Sequence, residues 1–516
     1  MQLAGNSWLK DRYKLEQFEL SHVSYIGSSY KKETDEFENV EQWYPKHYQP
    51  NDDAISHIEF ALKYDDLSLD FLYFVFQQIS KNEIELHIKS KPNGKYERKI
   101  GFLYEFLTKI ELEIPDVKIG NYIDLLEKEK YIIGNIVKNK RWKINDNLLG
   151  DKNYCPIIRK TKTLDIVLNI NYQSKIEEIT KEFSKEVFYR AINYLYRKET
   201  KSSYKIEKEV PTQDRVNRFI HVLRMAGTKS INQTLTENNL VKLQNEIIEE
   251  RFADKGFRDF QNYVGETTIN YREKLHYACP PPSIINSIMN GYLNSAIKSE
   301  NIESIIKAGI LSFGFVFAHP FNDGNGRLHR FLIHDVLARD KIVSEGVIIP
   351  ISARMLTDLR AYDIALENYS MPLLKRLKYE MSDDFKLTIL NPNEVESYFR
   401  FPDLTYQCIY LAKTLEQSIE IDLHLELEFL FKYDDIKKEI QQIVDMPDRL
   451  IDLAIKFMHQ NNGIISKRKR QDLIMLNDLE IEQIQNKFRD IFSSSFKDNN
   501  FDAIADDEND EVETIN

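Results

Sequence analysis

The apolar spacing of this sequence predicts a mainly α-helical chain. It carries a mixed α+β portion at the N-terminal side and a helical or winged-helix portion near the C-terminal end. Three observations support this. Ile302, Ile305, Ile306, Ile310, Phe313 and Phe317 recur at helical spacing before a polar loop, and Leu328, Phe331, Leu332 and Val336 recur after it. Residues 176–200 put Phe183, Val187, Phe188, Ala191, Leu195 and Tyr196 on one side of a long amphipathic helix. Residues 448–492 read as helix, Asn461-Asn-Gly turn, short helix and longer helix.

Length and charge narrow the classes of function. The 516 residues suffice for roughly two to four domains. The net charge of −12 argues against a large basic nucleic-acid face. Cys155, Cys279 and Cys408 are too few and too scattered for a disulfide framework or a cysteine zinc site, which fits a reducing cytoplasm. The N-terminus lacks a basic start followed by an apolar stretch, so no signal peptide is read. The longest uncharged run, near 308–320, falls short of the roughly 20 residues a membrane span needs, so no membrane partner is expected.

Taken in order, residues 1–40 are polar and carry no clear period. Residues 52–80 space Ile55, Ile58, Phe60, Ala61, Leu69, Phe71, Leu72 and Phe76 as helices. Ile84-Glu-Leu-His-Ile-Lys-Ser alternates and meets Lys91-Pro-Asn-Gly, which predicts a strand and a hairpin turn. Phe102–Leu107 returns to a helix. Lys138–Gly150 and Tyr154–Thr161 mix basic groups with aromatics, a pattern of either a solvated loop or a contact for nucleic acid or an acidic partner. Two helical stretches follow Pro211, at about 215–225 and 237–251. Val264–Tyr277, punctuated by Gly265 and ended by Cys279-Pro-Pro-Pro282, reads as a hairpin or an ordered loop. Ile348–Arg354 and Tyr362–Glu367 read as helices, and 381–393 is a candidate boundary. Ser466-Lys-Arg-Lys-Arg470 opens the middle helix of the C-terminal portion, as in a DNA-binding helix-turn-helix or on a solvated face. Residues 493–516, with eight acidic side chains and one lysine, predict disorder.

Everything else is arranged around the polar loop, His319-Pro-Phe-Asn-Asp-Gly-Asn-Gly-Arg-Leu-His-Arg330. The second helix should start near Asn325 or Gly326, and a helix start offers open N–H groups and a positive dipole end. Gly324 and Gly326 let a phosphate approach that backbone. Arg327 and Arg330, three apart, share one helix face and suit phosphate oxygens. Asp323 suits Mg²⁺, which prefers one or two carboxylates plus phosphates. His319 can accept a proton near neutral pH. Together these describe a nucleotide-phosphate site with a base beside it.

The stretch resembles the signature of the Fic family, H-x-F-x-[D/E]-G-N-G-R-x-x-R, and His319, Phe321, Asp323, Gly324, Asn325, Gly326, Arg327 and Arg330 fill every fixed position. The resemblance implies a helical Fic core whose 264–277 hairpin is a flap over the active site. It implies a protein adenylyltransferase that moves AMP from Mg·ATP to a Tyr, Ser or Thr hydroxyl of a target protein, with ATP and Mg²⁺ required. In those roles His319 removes the hydroxyl proton and Asp323 holds Mg²⁺. The N–H groups of Gly324, Asn325 and Gly326 receive the α-phosphate, Arg327 steadies pyrophosphate and Arg330 grips the γ-phosphate. Upstream, Ser203 and Glu207 resemble the inhibitory pattern [S/T]-x-x-x-E-[G/N], and Lys208 departs from it. The pattern implies autoinhibition by Glu207 pairing with Arg330. Residues 20–165 resemble the N-terminal extension of long bacterial Fic proteins.

The expected segments are 1–170, an N-terminal mixed domain; 171–380, the Fic domain with its inhibitory helix; 381–492, a helical or winged-helix-like domain; and 493–516, an acidic tail. Removal of AMP by hydrolysis, transfer of another nucleotide group, and a DNA-binding regulator acting through the C-terminal domain stay open as alternatives. Self-modification and a homo-oligomer also stay open.

Overall fold

Helix starts in the N-terminal portion are set by short polar side chains. Asp53, Ser68 and Ser80 accept hydrogen bonds from the backbone N–H groups of Ser56, Phe71 and Glu83, each satisfying a donor that a helix start leaves open. They begin the helices Ala54–Tyr64, Leu69–Gln78 and Lys81–Ser90. The computed structural model describes residues 2–35, 38–181, 183, 185–267, 273–344 and 346–492. The acidic tail expected at 493–516 lies outside the described residues.

The strand expected at Ile84 is a helix. Ile84 and Ile88 are fully buried while Leu86 between them is 60% exposed. An apolar residue at every second position fits both periods over so short a stretch. The Ser80 cap and the buried pair four apart decide for the helix. The turn after it leads into another helix, Lys95–Thr108. The unassigned 1–40 segment supplies most of a four-stranded sheet in the order Gln2–Ala4, His22–Gly27, Val40–Pro45, Lys31–Thr34, with its central pair parallel and its outer pairs antiparallel.

The basic and aromatic stretch around 138–160 is built into the fold. Trp142 is 1% exposed and donates to Glu105 at 2.7 Å. Arg141 pairs with Glu105 and Asp116, both at 3.0 Å, and Arg159 pairs with Asp66 at 3.3 Å and Asp403 at 2.9 Å. These guanidinium groups are engaged by carboxylates of the chain itself.

Packing divides the chain into two units that cut across the sequential segments expected. One gathers Met1–Ile170, Met225–Asp340 and Leu359–Lys413, and the other Asn171–Arg224, Lys341–Asp358 and the chain from Thr414 onward. At the centre of the first unit, Ser304–Ala318 and Asn325–Arg339 pack against each other. Ile306, Ile310, Phe313, Leu328, Leu332 and Val336 between and around them are fully buried. Pro282–Lys298 packs on the first of the pair and Glu237–Ile247 on the second. The hairpin expected at 264–277 is present as Tyr263–Thr267 paired antiparallel with Glu273–Ala278.

The second unit holds Tyr172–Lys181, Lys185–Ile206, Gln213–Arg224, Ile351–Thr357 and a C-terminal bundle. Glu199 caps the helix at Ser352, accepting from its backbone N–H at 2.8 Å, and Arg354 grips Asp422 with two hydrogen bonds. In the bundle, His424–Ile443, Asp448–Gln460 and Asp478–Phe492 bury Ile436, Ile440, Ile455, Met458, Ile484 and Phe488. Arg470 of the basic run donates to the Leu476 carbonyl at 3.1 Å and to the exposed Asp478 carboxylate at 2.7 Å. Among the described residues 448–492 no strand supplies a wing. The three cysteines are free and buried. Among the described residues no helix is long and apolar enough to cross a membrane.

Candidate active site

Helix Ser304–Ala318 stops because His319 turns left-handed, at φ 48° and ψ 56°, with its N–H still donating to the Phe315 carbonyl at 2.9 Å. A residue other than glycine in this region carries strain of about 1 kcal/mol, and such strain recurs at functional sites. His319 Nδ1 lies 3.2 Å from the Val316 carbonyl. A carbonyl only accepts, so the neutral ring keeps its proton on Nδ1 and a lone pair on Nε2. Burial, reinforced by the Arg258 charge, pushes the His319 pKa down to about 4, against the opposing pull of the Val316 carbonyl and Asp323. The ring is therefore neutral at physiological pH and able to take a proton at Nε2.

The loop after it is pinned from several directions. Phe321 is fully buried; its N–H donates to Asn325 Oδ1 at 3.0 Å and its carbonyl accepts from Asn325 Nδ2 at 2.9 Å. Asn262 Nδ2 reaches the carbonyls of Phe321 and Asn322, at 3.3 and 3.2 Å. The Asn322 N–H donates to Asp254 at 3.0 Å, and Gln244 Nε2 bridges Asp254 and the Asp323 carbonyl. Burial and the nearby Asp323 charge raise the Asp254 pKa, against the Asn322 N–H it accepts. Gly324 takes φ +83°, and a Cβ there would sit 3.1 Å from Ile248. Both the conformation and the space call for glycine.

Helix Asn325–Arg339 starts at Gly324 without a side-chain cap, and its first intrahelical bond runs from Leu328 N–H to the Gly324 carbonyl at 3.0 Å. An uncapped start presents the positive end of the helix to the loop, an arrangement that binds anions. Arg327 and Arg330 are 0% and 1% exposed. Arg327 Nη2 donates to Asp323 Oδ1 at 2.7 Å, and the Gly324 N–H donates to the same oxygen. Both bonds use Oδ1, and the Asp323 side chain is about half exposed. An accessible carboxylate beside an anion-binding backbone fits Mg²⁺.

Sequence reasoning assigned no role to Arg258, which locks this geometry. It is 5% exposed and donates to three backbone carbonyls: His319 at 2.8 Å, Phe260 at 2.8 Å and Pro280 at 2.7 Å. Its N–H donates to the Pro320 carbonyl at 2.9 Å. Burial lowers its pKa. One side chain thus ties both ends of the hairpin to the catalytic-type histidine. Asn262, Gln244 and Asp254 were missed in the same way. Each acts through partners 59 to 79 residues distant in sequence, and no local pattern marks such a link. Tyr277, on the hairpin, donates to the Phe317 carbonyl of the entry helix. Four of the five residues of the Tyr263–Thr267 strand are exposed, so its outer edge is accessible.

The motif residues His319, Asp323, Gly324, Asn325, Gly326, Arg327 and Arg330 all lie in the first unit, on one loop and one helix turn. Ser203 and Glu207 lie in the second unit. Ser203 is fully buried in helix Lys185–Ile206, and Glu207 stands in the turn after it, its N–H donating to Tyr204 at 3.0 Å. Lys208 takes φ +59°, the conformation that glycine and asparagine adopt with least strain.

Residues 234–337 match the family model described as Fic/DOC. A probable protein adenylyltransferase of Aquifex aeolicus is 24% identical over 189 residues, covering 34% of this chain and 55% of the relative. The chain therefore aligns with about half of that relative's length. Among solved structures, a Fic family protein of Desulfovibrio desulfuricans is similar at 14% identity and a TM-score of 0.36, covering 66% of this chain and 91% of its own. A signaling protein of Bacteroides thetaiotaomicron that contains a Fic domain is similar at 15% identity and a TM-score of 0.35, covering 52% of this chain and 97% of its own.

Proposed function

We propose that this chain, whose residues 234–337 match the Fic/DOC family model, is a Fic family protein that transfers AMP from ATP to a hydroxyl of a target protein. The observation that carries the proposal is the pairing of a neutral His319, its lone pair on Nε2, with the uncapped start of helix Asn325–Arg339 five residues on. A base and an anion cradle at that spacing suit attack on a phosphorus atom.

In this reading His319 Nε2 takes the proton of a Tyr, Ser or Thr hydroxyl as its oxygen attacks the α-phosphorus. The bond from that phosphorus to the bridging oxygen breaks, and pyrophosphate leaves. The N–H groups of Asn325 and Gly326 receive the charge on the α-phosphate oxygens, the Gly324 N–H being turned to Asp323. Arg327 and Arg330, held rigid by burial, take the leaving pyrophosphate and the γ-phosphate. Positioning and charge stabilisation supply most of the rate in such reactions. Asp323 would hold Mg²⁺, which neutralises phosphate charge when bound. The exposed outer edge of the Tyr263–Thr267 strand supports docking of a target segment by backbone hydrogen bonds.

Glu207 is the proposed inhibitory carboxylate, competing with the γ-phosphate for Arg330. The left-handed Lys208 supports this, because it makes the turn that the Gly or Asn of the inhibitory pattern would make. The test of the function is incubation of the purified protein with α-labelled ATP and a cell lysate. Labelled proteins that are absent with His319→Ala support it, and no labelling by either the wild type or Glu207→Gly rejects it.

A further inference from the structure

A cavity of about 690 Å³ lies in the first unit, lined in part by strands of the N-terminal sheet and by none of the motif residues 319–330. Its volume is that of a small-molecule site. Seven carboxylates line it against two arginines. Both arginines are already engaged. Arg159 pairs with Asp66 and Asp403. Arg376 pairs with Asp70 and is held between the rings of Phe18 and Tyr398, at 3.8 and 4.9 Å. The surplus charge is negative, so the cavity disfavours phosphates and other anions and attracts cations. Burial pushes the Asp66 carboxyl up, but His22 and Arg159 outweigh it and hold the pKa down to about 2, which keeps that charge in place at any working pH. Tyr369, Tyr398 and Tyr406 also line the cavity.

Two deeply buried lining groups lack partners. His22 is 5% exposed; its Nδ1 faces Asp66 at 3.8 Å, and its Nε2 has no hydrogen-bond partner. Asp66 faces Nδ1, so Nε2 is the ring nitrogen left unfilled. Arg376, whose side chain is 7% exposed, has an unfilled donor at Nε. Buried polar atoms are rarely left unpaired in folded proteins. An occupant that fills both must offer a polar group to His22 Nε2 and an oxygen acceptor to Arg376 Nε, and the surplus carboxylates favour N–H donors that carry positive charge.

We propose that this cavity binds a basic amino acid, either free or as a residue of a peptide, through its cationic N–H groups and its carbonyl or carboxylate oxygen. The site is separate from the transfer chemistry, so its test does not depend on nucleotide. Calorimetric titration of the full chain with L-arginine, with an arginine peptide capped at both ends, and with L-glutamate is the experiment. Saturable binding of a cation is expected, weakened by salt because the attraction is electrostatic. Asp66→Asn should weaken it at least tenfold. Glu33→Gln combined with Glu41→Gln changes two exposed lining residues and leaves the buried pairs intact. It should weaken binding by about two- to fivefold, the range for exposed charge pairs, and it serves if Asp66→Asn fails to fold. Binding of free arginine identifies a metabolite site, and binding of the peptide alone identifies a docking site for a basic segment; either supports the proposal. No saturable binding of either cation at millimolar concentration overturns it. So does glutamate binding as well as arginine, or cation binding that the carboxylate variants leave unchanged.

Discussion

Replacing Arg258 by alanine should loosen the motif loop and slow transfer without abolishing nucleotide binding. The guanidinium donates to the carbonyls of His319, Phe260 and Pro280 at 2.7 to 2.8 Å. Hydrogen bonds from a charged donor contribute about 1.5–3 kcal/mol each, so three give a gross value of about 4.5–9 kcal/mol. Water entering the space and non-additivity reduce this to a net local loss of about 3–5 kcal/mol. At 1.4 kcal/mol per tenfold, amide protection in the loop and at the hairpin ends should fall by about a hundredfold or more. Hydrogen–deuterium exchange over 254–262, 278–282 and 319–324 reads this directly. Because misplacing a catalytic group by about 1 Å can cost 10²-fold, kcat should fall by about that factor while KM for ATP changes little. Arg258→Lys keeps the charge but cannot reach all three carbonyls, and should fall between alanine and wild type. Unchanged exchange together with unchanged kcat in Arg258→Ala would refute the positioning role.

Further expectations follow from single side chains. His319→Ala should lower the transfer rate by about 10²–10⁴-fold and leave ATP affinity nearly intact by calorimetry; undiminished transfer would remove the histidine from its role. The His319 pKa is depressed from 6.5 to about 4, so the free enzyme keeps its base neutral as pH falls through 6.5. The acid limb of kcat/KM should then lie well below 6.5, and a limb at the ordinary histidine value would contradict the burial argument. Lys208→Gly relieves a left-handed lysine. It should raise stability by about 0.5–1 kcal/mol in thermal unfolding, since the αL penalty exceeds the entropy glycine adds to the unfolded chain.

The core and the site were legible to different depths. Both motif helices, their buried faces and the start at Asn325 follow from apolar spacing on either side of one polar loop. Gly324 reads in the sequence as room for a phosphate; its left-handed φ of +83° is a second need that only the structure carries. Ile84–Ser90 misled because alternation over seven residues satisfies both strand and helix periods, and only the Ser80 cap separates them. The basic run near Trp142 hid its role because its carboxylate partners, Glu105 and Asp116, lie tens of residues upstream. Arg258 was invisible for the same reason. Its acceptors are backbone carbonyls, which carry no residue identity at all.

AMP transfer by His319 under restraint by Glu207 is open to one paired labelling experiment. Glu207→Gly is incubated with ATP labelled at the α-phosphate in one sample and at the γ-phosphate in the other, beside wild type and the double variant with His319→Ala. Protein labelling is expected from α-labelled ATP only, stronger in Glu207→Gly than in wild type and absent in the double variant. Label from the γ-phosphate, or α-label that persists without His319, would contradict it.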